Sequence, residues 1–247
     1  MPMKTIVAIG GGELRELETL AIDEEIVRLS GRRRPRALFL PTASGDSEGY
    51  WEAFRALYGG RLGCRPEALW TIRERPSEAE IAEKILSSDL IHVGGGNTSR
   101  MMRIWRRLGM DKLLLQAYRR GVVLSGLSAG SICWFKWGHS DSRRFTAGDG
   151  PWEYIRVRGL GIIPAAHCPH YHSQERRLGF PTMIAKYGGV GIALDGQCAL
   201  VCQDDSYRVL SAQAGAGAYR LRKRKGEVIT EVITGSGSVS DLCLRTV

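Results

Sequence analysis

The sequence predicts an α/β fold: a doubly wound three-layer sandwich with a mostly parallel central sheet and a β-rich C-terminal extension. Two patterns predict it. As far as Val190, short apolar runs of strand length alternate with longer segments of helical period. That alternation is what a parallel sheet covered by helices requires. In addition, glycine clusters at residues 10–12, 94–96 and 126–130 each follow an apolar run directly. In such a sheet they gather at the carboxyl ends of the strands, where α/β proteins bind ligands.

The elements follow in order. Residues 5–9 follow a lone charge, Lys4, and form an apolar run too short for a signal peptide and without a cleavage pattern, so they read as a first strand. A helix is predicted over 14–29, then a strand over 37–41 and helices over 49–57 and 77–86. Ser77 and Glu80 approximate a capping box for the last of these. Residues 90–93 form a strand that runs into Gly94-Gly-Gly-Asn97. Helices follow over 98–107, through Met101, Met102, Ile104 and Trp105, and over 110–119. A strand over 122–125 precedes a helix over 129–137, and a strand over 159–164 precedes a helix over 173–187. After Val190 the character changes to short β runs at 190–194, 199–203, 207–210, 218–222 and 228–233, read as a meander that finishes the sheet or packs on its edge. The whole of 1–247 is read as one domain, with 1–194 as the α/β core and 195–247 as the β-rich part.

Composition narrows the function. No apolar run approaches the ~18 residues needed to cross a bilayer, so no membrane partner is expected and the expected location is the cytoplasm. The six cysteines include no Cys-x-x-Cys pair and are expected to be reduced. The net charge is +9, but the basic clusters are dispersed and no nucleic-acid-binding module accompanies them, so nucleic acid is not an expected partner. A basic field also suits acidic peptides. A homodimer is compatible with the sequence.

The chemistry centres on Val122-Val-Leu-Ser-Gly-Leu-Ser-Ala-Gly130. An apolar strand, a Gly-x-Ser-x-Gly turn and a helix start form a nucleophile elbow, which lifts the Ser128 hydroxyl out of the sheet edge. A serine nucleophile needs a base. Three of the five histidines lie together in Pro164-Ala-Ala-His-Cys-Pro-His-Tyr-His172, at a predicted strand end. The 94–96 turn lacks the spacing of a dinucleotide or P-loop motif and better suits an oxyanion site.

The combination resembles the peptidase E family of serine peptidases, which includes aspartyl dipeptidase and, more distantly, cyanophycinase. The resemblance rests on residues 8–13, 41–44, 93–98 and 126–130, Pro169-His170, and Leu194-Asp-Gly196. It implies Ser128 as nucleophile, His170 as base, Asp195 as the carboxylate that orients the imidazole, and the N–H groups of Gly96 and Ala129 as oxyanion donors. It implies no cofactor and no metal. Asp195 stands where the family's dipeptidase has Glu, and Asp141 is a second carboxylate candidate. Asn97, Gln174, Arg176 and Arg177 are the implied substrate-binding positions. Gln174 takes the place of an arginine that reads an acidic substrate, so a strict N-terminal Asp requirement is not expected. Arg143, Arg144, Arg176 and Arg177 flank the catalytic segments and lead us to expect short peptides with an acidic group. Two other functions are open at this point. A zinc hydrolase follows if 168–172 continues as a strand, with Cys168, His170 and His172 on one face. A catalytically inactive peptide-binding or scaffold homologue is the other.

Overall fold

A computed structural model describes residues 2–148 and 150–244. Its backbone is an α/β arrangement with two mixed sheets. The larger sheet is built around β1 (Thr5–Ile9), whose five residues are all buried. On one side β1 pairs in parallel with β5 (Val123–Leu127), followed by β4 (Leu90–Val93), β2 (Arg36–Leu40) and β3 (Arg65–Ala68), all parallel. On the other side β10 (Cys198–Gln203), β11 (Ser206–Ser211) and β14 (Ser236–Ser238) continue it antiparallel.

The period of two in β1 separates two cores. Val7 and Ile9 pack with Ile22 and Ile26 of α1 (Leu20–Leu29) and Phe54 of α2 (Glu48–Phe54). Ile6 and Ala8 face Met101 and Trp105 of α4 (Thr98–Arg107) and Leu114 of α5 (Met110–Arg119). The same core reaches Ile163 and Ile192 of the smaller sheet. That sheet has the order β13 (Glu227–Ile233), β12 (Ala218–Arg224), β9 (Val190–Leu194), β8 (Ile163–Cys168), β6 (Phe135–Ser140), β7 (Ile155–Arg158).

Several helices start where the sequence signals them. Ser77 and Glu80 form a reciprocal capping box on α3 (Glu78–Leu86), which satisfies two otherwise orphan donors. Asn97 caps α4, and Ser173 caps α7 (Gln174–Tyr187). The structure differs from the expected elements at several places. The strand expected over 159–164 runs over Ile163–Cys168, and Arg65–Ala68 and Ile155–Arg158 are strands outside the expected set. The helix after Ser128 is a single turn, α6 (Ala129–Ile132), and Phe135–Ser140 is a strand. The cause is close packing: a Cβ on Gly138 would lie 2.1 Å from Ile132, so strand and helix cross where only glycine fits. The predicted helix over 14–29 begins at Leu20, because Leu17 has φ 56°. The C-terminal runs do not form one meander; β10, β11 and β14 join the large sheet, whereas β12 and β13 join the small one.

Candidate active site

Strand β5 ends in the elbow. Ser128 has φ 56° and ψ −111°, a conformation that costs a non-glycine residue about 1–3 kcal/mol and persists only where the surroundings enforce it. They do so here. The Ser128 N–H donates to the Ile9 carbonyl at 3.0 Å, tying the elbow to β1. The Ser128 carbonyl accepts from the N–H groups of Ser131 and Ile132 and from Ser131 Oγ at 2.7 Å. A Cβ on Gly130 would lie 2.1 Å from the Val93 carbonyl oxygen, so β4 and the elbow meet backbone to backbone.

His170 reaches the serine from the other sheet. It follows β8, has φ 51°, and donates its N–H to the Gly10 carbonyl at 2.9 Å. Its Nε2 lies 2.8 Å from Ser128 Oγ. Burial is the main reason its pKa falls to about 4, with the positive charge of Arg176 and then His172 acting in the same sense. The imidazole is therefore neutral at neutral pH and able to take a proton. Gly11 lies against the ring, where a Cβ would stand 2.4 Å from Nδ1 and Cε1. The first glycine cluster thus makes room for the histidine.

No carboxylate hydrogen-bonds His170 among the described residues. Asp195 Oδ2 accepts from the Gly217 N–H and the Tyr219 hydroxyl, each at 3.0 Å. Asp141 pairs instead with Arg176, at 3.4 Å. The two orienting candidates from sequence therefore brace neighbouring segments in this structure.

The oxyanion candidates have the needed freedom. The N–H groups of Gly96 and Ala129 donate to no other protein group among the described residues, and Ala129 is the first residue of a helix, whose N–H has no intrahelical acceptor. Gly96 lines the same cavity as Ser128 and His170, a space of about 770 Å³. The Gly95 N–H is occupied by the Tyr50 hydroxyl at 3.2 Å.

The remaining sequence-based positions lie elsewhere. Asn97 is buried; its Oδ1 caps α4 and its Nδ2 donates to the Ser142 carbonyl. Gln174 starts α7 and is exposed, away from the cavity. Arg176 is buried and donates to the His139 carbonyl at 2.8 Å, whereas Arg177 donates to the Tyr171 carbonyl at 3.1 Å. None of Arg143, Arg144, Arg176 or Arg177 lines the Ser128 cavity. Its charged wall consists of Glu13, Arg15 and Glu18. The sequence reading missed Tyr50, Arg15 and Glu18. Tyr50 sits in an ordinary apolar helix pattern, and only Glu13 had a signal, its place directly after a glycine cluster.

The other histidines have separate tasks. Ser131 Oγ lies 2.8 Å from His167 Nε2, and His167 Nδ1 donates to the Ile192 carbonyl at 2.9 Å. The single Ser131 hydroxyl hydrogen serves either His167 Nε2 or the Ser128 carbonyl, so His167 links β9 to the residue that packs beside the nucleophile. His172 Nδ1 accepts from the Gly196 N–H at 2.9 Å. The face shared by Cys168, His170 and His172 does not form, because β8 stops at Cys168 and His170 turns left-handed. No helix among the described residues is long and apolar enough to cross a membrane.

An α/β frame that presents a serine on a strained strand-to-helix elbow, with a neutral imidazole on its hydroxyl, defines a hydrolase of the serine type. Comparison with known proteins narrows the class. Residues 6–210 match the family described as peptidase family S51, and the chain belongs to that family. It is 36% identical over 230 residues to the uncharacterized peptidase YgaJ of Bacillus subtilis (strain 168), covering 92% of this chain and 95% of that protein. It is 27% identical over 136 residues to peptidase E of Streptomyces coelicolor, covering 55% of this chain and 51% of that one. Among solved structures, a peptidase from an acI-B1 Actinobacterium superposes with a TM-score of 0.71 at 21% identity, over 96% of this chain and 97% of its own. These findings make the protein a peptidase, and the serine type fits the family.

Proposed function

We propose that the protein hydrolyses short peptides with Ser128 as nucleophile and His170 as general base. The 2.8 Å contact between Ser128 Oγ and His170 Nε2, at the wall of an open cavity, is the observation that carries this reading. Ser128 Oγ attacks the scissile carbonyl carbon while its proton passes to His170 Nε2. The negative charge that develops on the carbonyl oxygen is met by the N–H groups of Gly96 and Ala129, each worth about 3 kcal/mol of barrier. His170 then gives its proton to the leaving amine, the C–N bond breaks, and a Ser128 ester remains. Water, deprotonated by His170, attacks the ester and releases the acid with the serine restored.

In this reading the backbone positions the histidine: the His170 main-chain N–H is bonded to the Gly10 carbonyl, and Gly11 packs against the ring. Asp195 acts as a brace for the wall at Gly217 and Tyr219. Short substrates suit a cavity of about 770 Å³. The reading includes no preference for acidic peptides, since Arg15 shares the wall with Glu13 and Glu18.

The test is Ser128→Ala against a dipeptide and tripeptide library. Loss of a nucleophile in such a couple removes on the order of 10⁶ in kcat. Turnover by the Ala variant within tenfold of the parent would sink the proposal.

A further inference from the structure

Tyr50 is in the first turn of α2, which Ser47 caps with its side chain. A ring at this position reads as core from sequence, and part of it is. It meets Phe39 edge to face, with centroids 5.1 Å apart at 68°. It also fills the space over Gly94, where a Cβ would lie 2.8 Å from Tyr50 Cε1. A phenylalanine would satisfy both contacts, so the hydroxyl needs its own explanation.

That hydroxyl accepts one hydrogen bond, from the Gly95 N–H at 3.2 Å. A phenol is also a donor, and nothing among the described residues accepts its hydrogen. Tyr50 lines the cavity of Ser128 and His170. The acceptor is therefore to be sought in the cavity. Gly95 adjoins both groups: its N–H bonds the phenol, and a Cβ on it would stand 3.4 Å from Ser128 Cβ. The next residue is Gly96, whose N–H donates to no protein group among the described residues. The hydroxyl is thus bonded to a glycine that adjoins the nucleophile, and Tyr50 lines the cavity into which the carbonyl would have to enter. Burial pushes the phenol pKa up to about 12, with Glu13 and Asp23 adding in the same sense, so the group keeps its proton throughout the working pH range.

We propose that the Tyr50 hydroxyl is a third hydrogen-bond donor to the reacting carbonyl oxygen, beside the N–H groups of Gly96 and Ala129. The proposal rests on the serine-peptidase reading above. The phenol keeps its proton through the cycle; it stabilises the charge that forms when Ser128 adds and releases it when the carbonyl re-forms. Preorganised donors of this type typically contribute 10²–10³ in kcat.

The competing role is positioning alone, with Tyr50 holding Gly95 and thereby Gly96 in place. Tyr50→Phe removes both contributions, so a second variant separates them. Substitution of 3,5-difluorotyrosine at position 50 makes the hydroxyl a stronger donor and a weaker acceptor. Both are assayed with the dipeptide that the parent turns over fastest, and Ser128→Ala is run alongside. Tyr50→Phe is expected to lower kcat between tenfold and a thousandfold, with KM changed only a few-fold. The difluorotyrosine protein is expected to keep at least the parent kcat at neutral pH and to lose it on an alkaline limb that the parent lacks. Unchanged kcat in folded Tyr50→Phe overturns the proposal. A difluorotyrosine kcat that falls toward the Phe level overturns it in favour of positioning. If Tyr50→Phe fails to fold, the difluorotyrosine protein decides alone. Ser128→Ala retaining turnover would instead mean that the underlying peptidase reading has failed.

Discussion

Replacing Gly11 with alanine isolates the support of the base from everything else in the site. The added methyl carbon would stand 2.4 Å from His170 Nδ1 and Cε1, against 3.4 Å or more for an ordinary contact, so about 1 Å must be found. The loop cannot easily give it. The Gly10 N–H donates to the Cys198 carbonyl at 2.8 Å, and the Gly11 carbonyl accepts from the Gln197 N–H at 2.8 Å. The histidine main chain is also fixed, by its bond to Gly10. The ring is the part free to swing, and swinging breaks its 2.8 Å contact with Ser128 Oγ. A misplacement of about 1 Å at a reacting group costs roughly 10²-fold, or about 2.7 kcal/mol of barrier. The assay is kcat/KM on the best dipeptide, with thermal unfolding recorded on the same samples. Gly60→Ala is the control, since an added Cβ there meets nothing within 4 Å. A folded Gly11→Ala protein with kcat/KM equal to that of the Gly60→Ala control would refute the argument.

Two further outcomes follow from the same geometry. Asp195→Asn should lower kcat by less than about tenfold, because the amide oxygen can still accept from Gly217 and Tyr219, whereas an orienting carboxylate changed to an amide loses about 10⁴; a loss of that size would place Asp195 on the imidazole in the working enzyme. Acid should destabilise the fold steeply. Burial depresses His92, His139 and His167 to about 3 and His170 to about 4 from 6.5, so the unfolded chain binds these four protons first. Asp23, raised by burial to about 6, opposes them with one. The net three protons remove about 4 kcal/mol of stability per pH unit as pH falls from about 6 toward 4. Urea midpoints at pH 7, 6 and 5 measure this. Equal midpoints, or a kcat/KM that titrates near 6.5 while the protein stays folded, would contradict the burial of these rings.

Much of the frame was legible because its signals are local. Residues 5–9, 90–93 and 190–194 are predominantly apolar runs, and each is a fully buried strand with those limits. Helices 98–107 and 110–119 also match, as apolar periodicity and the Asn97 cap require. The strand at Arg65–Ala68 was not legible: Arg-Pro-Glu-Ala carries no alternation, and it survives as an edge strand bonded only to β2. The strand at Phe135–Ser140 was hidden because its apolar residues continue those of the preceding helix, and only the Gly138–Ile132 crossing separates the two. At the site, Ser128 and His170 could be named from motifs and their order. The partners of Asp195, Arg176 and Asn97 could not, since each is set by segments distant in the chain. Tyr219 lies across the sheet from Ala193, and Ser142 lies beyond the end of β6. Tyr50 was invisible for the same reason. An aromatic residue in a helix announces packing, and only the fold reveals where its hydroxyl points of contact lie, at Gly95.

The central claim is that Ser128 is a nucleophile made reactive by His170. The most direct measurement is the mass of the protein after treatment with a fluorophosphonate, followed by peptide mapping, for the parent and for His170→Ala. The expected result is one adduct per chain, on the Ser128 hydroxyl, forming at least a hundredfold more slowly in His170→Ala and accompanied in the parent by loss of peptidase activity. Full peptidase activity with Ser128 modified, or an adduct that maps to another serine and abolishes activity, would contradict it.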